Sequence, residues 1–387
     1  MKSRLFRIFL TGSHILALGI SCIAQKTEPT PNQLEPLRTA FTVFQGDVIN
    51  VYSTRLDGSD RKLIISEKTE LANARPFDAL RAVISPDRRQ IMYSVAPQNG
   101  WAPIYLVNSD GQNKKKILDK AINFHWSPDG KHILYSLYEA RITDEGMSFW
   151  SKGYDWYFLD LATKVSERVA ISSYKFLNLA YWKGNDIVVF RGSSIGSQWL
   201  FEYDLRKKQK NRTTEILRNM RQLAEISESE DGKRTVASVW PRSVGIEWSC
   251  DLFEVTRRYK LGRHFVKSPN YQCQHIFWNF NNEVYYNKST GPNRRISALD
   301  TSESGYYMLL SVYKYDFRKR RETSVLKSSG KEVYRLQNVL DGKLIIVSNE
   351  SVPRSPRYIL EMRDLDGANL TELFRSDKEM WFIGWLQ

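Results

Sequence analysis

Gly192–Gly196, with the sequence GSSIG, has a spacing that could do nucleophilic chemistry. Gly-x-Ser-x-Gly is the spacing of the nucleophile elbow of serine hydrolases, where a sharp strand-to-helix turn exposes the serine. The apolar run DIVVF precedes this stretch and QWLFEYDL follows it, and both runs are typical of strands. Because the elbow requires a helix after the serine, we predict a loop between two strands and no nucleophile at Ser194.

The histidines and cysteines do not have the spacing of a metal site. The histidines beyond residue 25 are His125, His132, His264 and His275, and they form no His-x-x-x-His pair. A Cys-x-x-Cys pair and a Gly-rich phosphate loop are also absent from the sequence. Acidic residues are numerous, but the sequence alone does not pair them. We therefore predict no metal, no cofactor and no catalytic residues.

The elements that position these residues are clearest at Trp126–Leu137, with the sequence WSPDGKHILYSL. It predicts a strand, a tight turn and a second strand. Proline fixes φ in the turn, aspartate bonds its own backbone, and Gly130 takes the left-handed position. The same signature recurs at Ser85–Asp87, followed by RRQIMYSV. Repetition of a strand–turn–strand unit at this interval is typical of β-propeller blades.

Six complete four-stranded units can be followed along the chain. They cover residues 79–119, 122–170, 176–217, 220–266, 273–330 and 332–377. Trp182 and Trp278 take the position of Trp126 in their units. Residues 41–65 lack a first strand, whereas Met380–Gln387 reads as a lone first strand with Trp385 in the tryptophan position. We therefore predict an all-β, seven-bladed β-propeller over residues 41–387.

The two ends of the chain should pair in one blade of this propeller. Such pairing closes the ring and removes the open sheet edges that would otherwise aggregate. The alternative is a stack of antiparallel sheets without closure. In a propeller, His125 would lie on an innermost strand, either facing the central channel or as a hydrogen-bonded strand histidine.

Residues 1–24 read as an export signal. Three cations precede an apolar run, Ile8–Ile20, that is too short to span a bilayer. Cleavage after Ala24 suits ordinary signal peptidase, and the alternative is lipidation at Cys22 within Leu18–Cys22. Residues 25–40 contain three prolines and are predicted to be a tether. The protein should be exported, and either periplasmic or lipid-anchored to the cell envelope.

Cys250 and Cys273 are the two cysteines that remain for the folded body. The predicted blades put both at the same face of neighbouring blades. Two cysteines in an oxidising compartment can pair, so we expect a disulfide, with two buried apolar thiols as the alternative.

The formal net charge of +14 favours contact with anionic surfaces. For an exported protein these are lipid head groups, polysaccharide or an acidic partner, and the chain has no nucleic-acid-binding motif. The turns between strands one and two and between strands three and four share one face, the tight-turn face. Cations recur there at Lys114, Lys115, Lys207, Lys208, Arg318 and Arg320. They predict a basic rim that binds such a surface, unless they are simply solvated turn tips.

Long loops should occupy the opposite face. They carry or border Trp101, Trp150, Trp248 and Tyr306. Binding residues concentrate on loops held by a rigid scaffold, and exposed aromatics often form hot spots. We predict a binding site for a protein or glycan on this face, unless these aromatics pack down on the blades as anchors.

WSPDGKHILYSL and ISPDRRQIMYSV, with the weaker EDGKRTVASV, resemble the Pro-Asp-type repeat of TolB-like propellers. The same repeat occurs in the propeller domains of prolyl-oligopeptidase-like proteins. The resemblance implies a protein-binding platform in the bacterial periplasm, and it assigns no catalytic residues. The resemblance covers the propeller of TolB and does not extend to its additional N-terminal α/β domain. We predict a non-catalytic scaffold that binds protein or glycan, and the alternative is a propeller enzyme acting on carbohydrate or peptide through residues of its channel.

Overall fold

A computed structural model describes the folded body of the protein. The residues it describes are 37–69, 80–95, 102–121, 123–137, 141–143, 146–148, 155–169, 176–194, 197–217, 222–229, 231–240, 249–269, 273–279, 282–289, 310–329, 332–340, 342–350, 357–378 and 380–387. No helix in these ranges is long and apolar enough to cross a membrane.

Seven four-stranded antiparallel sheets form the seven predicted blades. The first three blades, each from its inner to its outer strand, are blade 1 with β30 (Met380–Leu386), β1 (Arg38–Gln45), β2 (Val48–Arg55) and β3 (Lys62–Lys68); blade 2 with β4 (Leu80–Ile84), β5 (Gln90–Val95), β6 (Ala102–Asn108) and β7 (Lys115–Ala121); and blade 3 with β8 (Asn123–Trp126), β9 (His132–Leu137), β12 (Asp155–Asp160) and β13 (Ser166–Val169).

The other four blades follow the chain without interruption. They are blade 4 with β14 (Phe176–Lys183), β15 (Ile187–Ser194), β16 (Ser197–Asp204) and β17 (Gln209–Leu217); blade 5 with β18 (Gln222–Glu228), β19 (Thr235–Trp240), β20 (Ser249–Val255) and β21 (Leu261–Pro269); blade 6 with β22 (Cys273–Asn279), β23 (Glu283–Ser289), β24 (Leu310–Asp316) and β25 (Arg321–Leu326); and blade 7 with β26 (Glu332–Leu340), β27 (Lys343–Glu350), β28 (Arg357–Asp364) and β29 (Thr371–Ser376).

The connection from β9 to β12 contains structure that the sequence reading missed. A small hairpin of β10 (Arg141–Thr143) and β11 (Gly146–Ser148) forms a sheet of its own. The sequence had predicted a long loop here without strands. The alternation of side chains that identifies a strand is too short over three residues to recognise.

Blade 1 joins the two ends of the chain, as predicted. β30 pairs antiparallel with β1, with Leu386 opposite Arg38 and Met380 opposite Val43. Trp385 therefore lies in the same sheet as β2. β1 begins at Arg38, so the last three residues of the predicted tether belong to this strand.

Hydrophobic side chains fill the space between neighbouring blades. The described residues form seven buried clusters, one at each of the seven blade interfaces. The cluster between blades 7 and 1 includes Phe41, Val43, Ile345 and Leu360, and it closes the ring. Closure follows because each sheet must bury both faces, and only a ring gives every sheet two neighbours.

A buried serine organises the predicted Ser-x-Asp-Gly turns. Ser127 is fully buried, and its hydroxyl donates to Asp129 and accepts from the backbone N–H of His132 at 3.0 Å. Ser229 makes the equivalent bonds to Asp231 and Arg234, although no proline follows it. The sequence reading assigned this turn to proline, aspartate and glycine. The serine adds the bond that satisfies the first amide of the next strand.

The Asp-Gly turns between the third and fourth strands pack against the preceding blade. A Cβ added to Gly58, Gly111 or Gly367 would lie within 3.0 Å of an atom in the outer strand of that blade. At Gly111 this atom is the carbonyl oxygen of Ile64, 2.9 Å away, and the glycine has a φ of +86°. The absence of a side chain therefore lets one blade approach the next at the perimeter.

The substitution Gly111→Ala should destabilise the protein by about 2–3 kcal/mol, because it adds a steric contact to an unfavourable φ. Gly46→Ala is the matched control. Gly46 has a φ of +66° with nothing within 4 Å of an added Cβ, so its substitution should cost only about 1 kcal/mol. Urea unfolding of both variants checks the difference. Equal losses of stability in the two variants would show that the steric contact at Gly111 does not contribute to the loss.

Candidate functional site

The aromatic residues predicted to bind a partner lie outside the residues that the structure describes. These are Trp101, Trp150, Trp248 and Tyr306. The lipidation candidate Cys22 also lies outside them. These assignments stay predictions.

Cys273 is disulfide-bonded and fully buried on the innermost strand of blade 6. The chain contains two other cysteines, Cys22 and Cys250. Cys250 belongs to β20 in the adjacent blade, and β20 contacts β22. A pairing of Cys273 with Cys250 stays our prediction.

Gly192, Ser193 and Ser194 of GSSIG belong to β15 of blade 4. β15 ends at Ser194 and β16 begins at Ser197, and the two residues face each other in the ladder. A strand therefore follows the serine where a nucleophile elbow needs a helix. The strands predicted on both sides of GSSIG are confirmed, whereas Ile195 and Gly196 of the predicted loop lie outside the described residues.

His125 lies on the innermost strand of blade 3 and contacts blade 2. Its Nε2 atom is 3.3 Å from Nη2 of Arg81, and Arg81 also donates to the Asn123 side chain. Burial, with the nearby Arg81 cation, lowers the pKa of His125 to about 3. The imidazole is therefore neutral at physiological pH, and its polar contact joins two blades.

His275 lies on the innermost strand of blade 6 at a β-bulge, with a φ of 57°. The Glu225 carboxylate of blade 5 accepts a hydrogen bond from the Ile276 N–H at 3.0 Å, beside this bulge. Burial, with the Arg335 cation of blade 7, lowers the pKa of His275 to about 4. Burial also raises the pKa of Glu225 above its usual range. Like His125, these groups form polar contacts between inner strands.

The predicted basic rim is neutralised in blades 2 and 4. Lys114 pairs with Glu67, and its ammonium lies over the Tyr105 ring. Lys208 pairs with Glu167 of the neighbouring blade at 2.8 Å, and Lys207 lies 3.6 Å from Asp204. Arg206 and Lys116 also have acidic partners, Asp186 and Asp119. These cations are held by local acids, although Lys115 is exposed beside them.

The cations of blades 5 and 6 are different. Six exposed side chains in two turns form no ion pair within the described part of the chain. We call these six the basic surface: Arg257, Arg258, Lys260, Arg318, Arg320 and Arg321. All six belong to the clusters of cations that the sequence predicts on the tight-turn face, and Arg318 and Arg320 were named above as rim residues.

The two turns of the basic surface adjoin. Phe317, at the start of the blade 6 turn, packs against Phe265 of blade 5 with ring centroids 5.1 Å apart. Arg234 and Arg263 of blade 5 lie over the same ring at 4.8 and 6.0 Å. Glu254 pairs with both arginines, at 2.9 and 3.3 Å. The two arginines that join the blades thus share one carboxylate, whereas the basic surface around them has no ion pair within the described residues.

A cavity of about 430 Å³ lies between blades 4 and 5 on the tight-turn face. We call it the interblade cavity. Its lining includes Tyr181 and Lys183 of β14, Glu228 of β18, and Arg257 and Tyr259 of the β20–β21 turn. No sequence motif predicted it. The signal was an aromatic residue, Tyr259, within a turn that is otherwise basic.

No group of three or more histidine, cysteine, aspartate or glutamate side chains that could hold a metal occurs in the described ranges.

No protein-family model matches the chain, and no curated protein sequence matches it. Solved structures do resemble it. A prolyl endopeptidase has 17% identity and a TM-score of 0.51, over 76% of this chain and 42% of the endopeptidase. Prolyl oligopeptidase B from Galerina marginata has 12% identity and a TM-score of 0.51, over 76% of this chain and 43% of the peptidase. The chain thus spans less than half the length of either peptidase.

TolB from Acinetobacter baumannii is also similar, with 16% identity and a TM-score of 0.43, over 93% of this chain and 89% of TolB. The chain itself is a seven-bladed β-propeller. At these identities the likeness concerns the fold alone.

Proposed function

We propose that the protein is an exported, non-catalytic binding scaffold of the bacterial cell envelope, and that an acidic protein partner docks on the basic surface of blades 5 and 6. The observation that carries this proposal is the set of six exposed cations without ion pairs in two adjoining turns. Such a surface attracts anionic partners and speeds their association.

The chemistry of the six side chains favours a protein over a lipid surface. Five of the six are arginines, whose planar guanidinium binds a carboxylate through two parallel hydrogen bonds. In the part of the chain that the structure describes, exposed cations without an ion pair are concentrated in blades 5 and 6, because local acids hold most of those of blades 2 and 4, and blade 3 contributes single ones such as Lys131 and Lys164. A planar membrane would contact the rim more evenly, whereas a sector of two blades suits a folded domain.

Two observations support export. The cationic and apolar pattern of residues 1–24 is that of a signal peptide. Cys273 is disulfide-bonded, and disulfides persist in oxidising compartments such as the periplasm. Whether Cys22 is acylated can be measured from the mass of the mature N-terminus.

Reversing three charges of the basic surface should weaken binding of an acidic polypeptide by about tenfold or more, because each exposed ion pair contributes up to about 1 kcal/mol. The variant is Arg318→Glu/Arg320→Glu/Arg321→Glu, and poly-glutamate is the probe. Calorimetry at two salt concentrations measures the loss, which should be smaller at high salt.

Arg206→Glu/Lys207→Glu/Lys208→Glu is the matched control in blade 4. It changes the same number of charges, and Lys208 has a positive φ like Arg320. Because its cations already have acidic partners, this control should change binding by less than about threefold. Equal losses in the two variants would contradict the proposal. The wild type could instead bind vesicles containing phosphatidylglycerol in a salt-sensitive way and fail to bind poly-glutamate. This result would indicate that the basic surface binds a membrane and not a protein.

A further inference from the structure

The interblade cavity has the size and the lining of a small-molecule site. Its volume of about 430 Å³ lies within the usual range for ligand pockets. Blade 4 contributes one wall and blade 5 the other, so two packed sheets hold its shape. Side chains that form hydrogen bonds and ion pairs dominate the lining, and Val255 is an apolar exception.

Glu202 lies beneath this lining and is 7% exposed. Its Oε1 atom accepts a hydrogen bond from Lys183 Nζ at 2.7 Å and another from the Tyr259 hydroxyl. Burial alone would raise the pKa of Glu202, but these two donors and the Lys183 cation bring it below its usual range. Glu202 is therefore ionised, and the protein itself compensates its charge.

Glu228 lines the cavity beside Glu202 without such compensation. Within the described ranges its carboxyl receives no hydrogen bond. Burial, and the negative charge of Glu202, raise its pKa to about 7, against a smaller opposing effect of Lys183. A half-buried carboxyl without a donor is destabilising when ionised, so it offers a strong site to a ligand that brings a cationic donor.

The lining also contains cations. Arg212 donates through Nη1 to the backbone carbonyl of Arg257 at 2.6 Å, and the Arg257 side chain is exposed. Lys233 pairs with Asp231 at 3.0 Å. The Arg257 side chain has no acidic partner within the described part of the chain. The cavity thus presents one unsatisfied carboxyl and one unpaired guanidinium.

Tyr259 shows that the local backbone is held in an unusual conformation. It has a φ of 58°, which is uncommon for a bulky residue, and its side chain is only 3% exposed. The corresponding positive-φ residue in the turns of blades 4 and 6 is Lys208 or Arg320, both exposed. The blade 5 turn therefore directs an aromatic side chain inward to Glu202. Residues kept in such conformations concentrate at binding sites.

We propose that the interblade cavity binds a small zwitterion, whose ammonium group pairs with Glu228 and whose anionic group pairs with Arg257. A simple amine would be repelled by the surrounding cations, and a simple anion would be repelled by Glu202 and Glu228. A neutral sugar would leave the charge of both unpaired groups uncompensated. The site is distinct from the blade 6 side of the basic surface, so the two proposals can fail separately.

Phosphoethanolamine is the first probe, with ethanolamine and methyl phosphate as controls that each lack one of its two charged groups. Calorimetry at pH 8 should show binding of phosphoethanolamine at least about tenfold tighter than binding of either control. At pH 6, Glu228 is mostly protonated in the free protein. Binding of β-alanine, whose own groups do not titrate near pH 6, should therefore release a proton. Titrations in two buffers with different ionisation enthalpies measure this release. β-Alanine, with a carboxylate in place of the phosphate, should also bind.

Glu228→Gln should lower the affinity for phosphoethanolamine by about tenfold or more and abolish the proton release at pH 6. At pH 8 the variant should be no less stable than the wild type, because it removes a half-buried charge. Weaker binding then cannot result from unfolding. Arg257→Gln should weaken the binding of phosphoethanolamine but leave the affinity for ethanolamine unchanged.

Glu167→Gln lies outside the cavity and is the matched control. It should change neither the affinity for phosphoethanolamine nor the proton release. Three outcomes would overturn the proposal: no heat from either zwitterion at millimolar concentration, unchanged affinity in Glu228→Gln, or equal binding of a neutral monosaccharide. The blade 6 triple variant should bind phosphoethanolamine like the wild type, which separates this test from that of the proposed function.

Discussion

Deletion of residues 380–387 should unfold the propeller. The deletion removes β30, whose Met380 and Leu386 are fully buried and whose Trp385 is 7% exposed. Loss of buried side chains of this size costs about 2–5 kcal/mol each. The sum is comparable with the total stability of a typical domain, about 5–15 kcal/mol, so a cooperative transition should no longer be observed. Circular dichroism during urea titration measures it.

A circular permutant is the control for this deletion. Leu386 lies opposite Arg38, so residues 380–387 placed directly before residue 37 with a short linker would form an ordinary hairpin of β30 and β1. Every other blade joins its first two strands through such a connection. The permutant should unfold cooperatively, close to the wild type. A deletion variant that unfolds as cooperatively as the permutant would contradict the role of β30 in closing the ring.

Mild acid should destabilise the protein through its two buried histidines. The pKa of His125 is lowered to about 3 and that of His275 to about 4, against about 6.5 in the unfolded chain. As the pH falls below 6.5, the unfolded state binds protons that the folded state does not, so stability decreases. Between pH 7 and pH 5 each histidine should account for a loss of about 2 kcal/mol.

Two carboxyls between blades, those of Glu225 and the half-buried Glu228, change the stability in the opposite direction. The pKa values of Glu225 and Glu228 are raised, so the folded state binds their protons more readily and gains stability as the pH falls toward 4.5. The measurement is therefore a comparison of how steeply the free energy of unfolding falls with pH in two proteins. In His125→Gln/His275→Asn the carboxyls remain and the histidines do not, and asparagine tolerates the positive φ of position 275.

Urea unfolding of this double variant at pH 7, 6 and 5 should show a smaller loss of stability than the wild type, by several kcal/mol across the range. His264→Gln is the control. His264 is exposed and lies 3.0 Å from Asp251, and its removal should leave most of the slope intact. If the double variant and the wild type lose equal stability toward pH 5, the two buried histidines are not the cause.

The local pattern of the chain was sufficient to predict the blades. Trp126, Pro128 and Gly130 mark a strand end and a turn within five residues, and this register extends to Trp278 and Trp385 because each blade repeats the same backbone geometry. Such information is local, so it needs no knowledge of which blade packs on which. For the same reason the leftover first strand could be assigned to blade 1.

Contacts between blades could not be predicted in this way. Lys208 was assigned to a binding rim, yet it pairs with Glu167 of the neighbouring blade, forty-one residues earlier. The hydrogen bond of Tyr259 to Glu202 likewise joins two blades. Which cation meets which acid depends on the rotation between sheets, and the sequence does not encode that rotation in any short pattern. The interblade cavity was missed because its members are distributed over five strands and turns.

The positive-φ residues of the outer turns have an evolutionary consequence. In blades 3 to 6 the turn between the third and fourth strands contains one left-handed residue that is not glycine: Lys164, Lys208, Tyr259 and Arg320 respectively. The backbone has a positive φ at each of these positions, whereas the side chain differs in size, charge and direction. The exposed residues at Lys164, Lys208 and Arg320 can therefore mutate without disturbing the sheets, whereas Tyr259 belongs to the core between blades 4 and 5. One copy has acquired a buried tyrosine and another an exposed arginine, so the repeat has diversified its chemistry at a position that its fold leaves free.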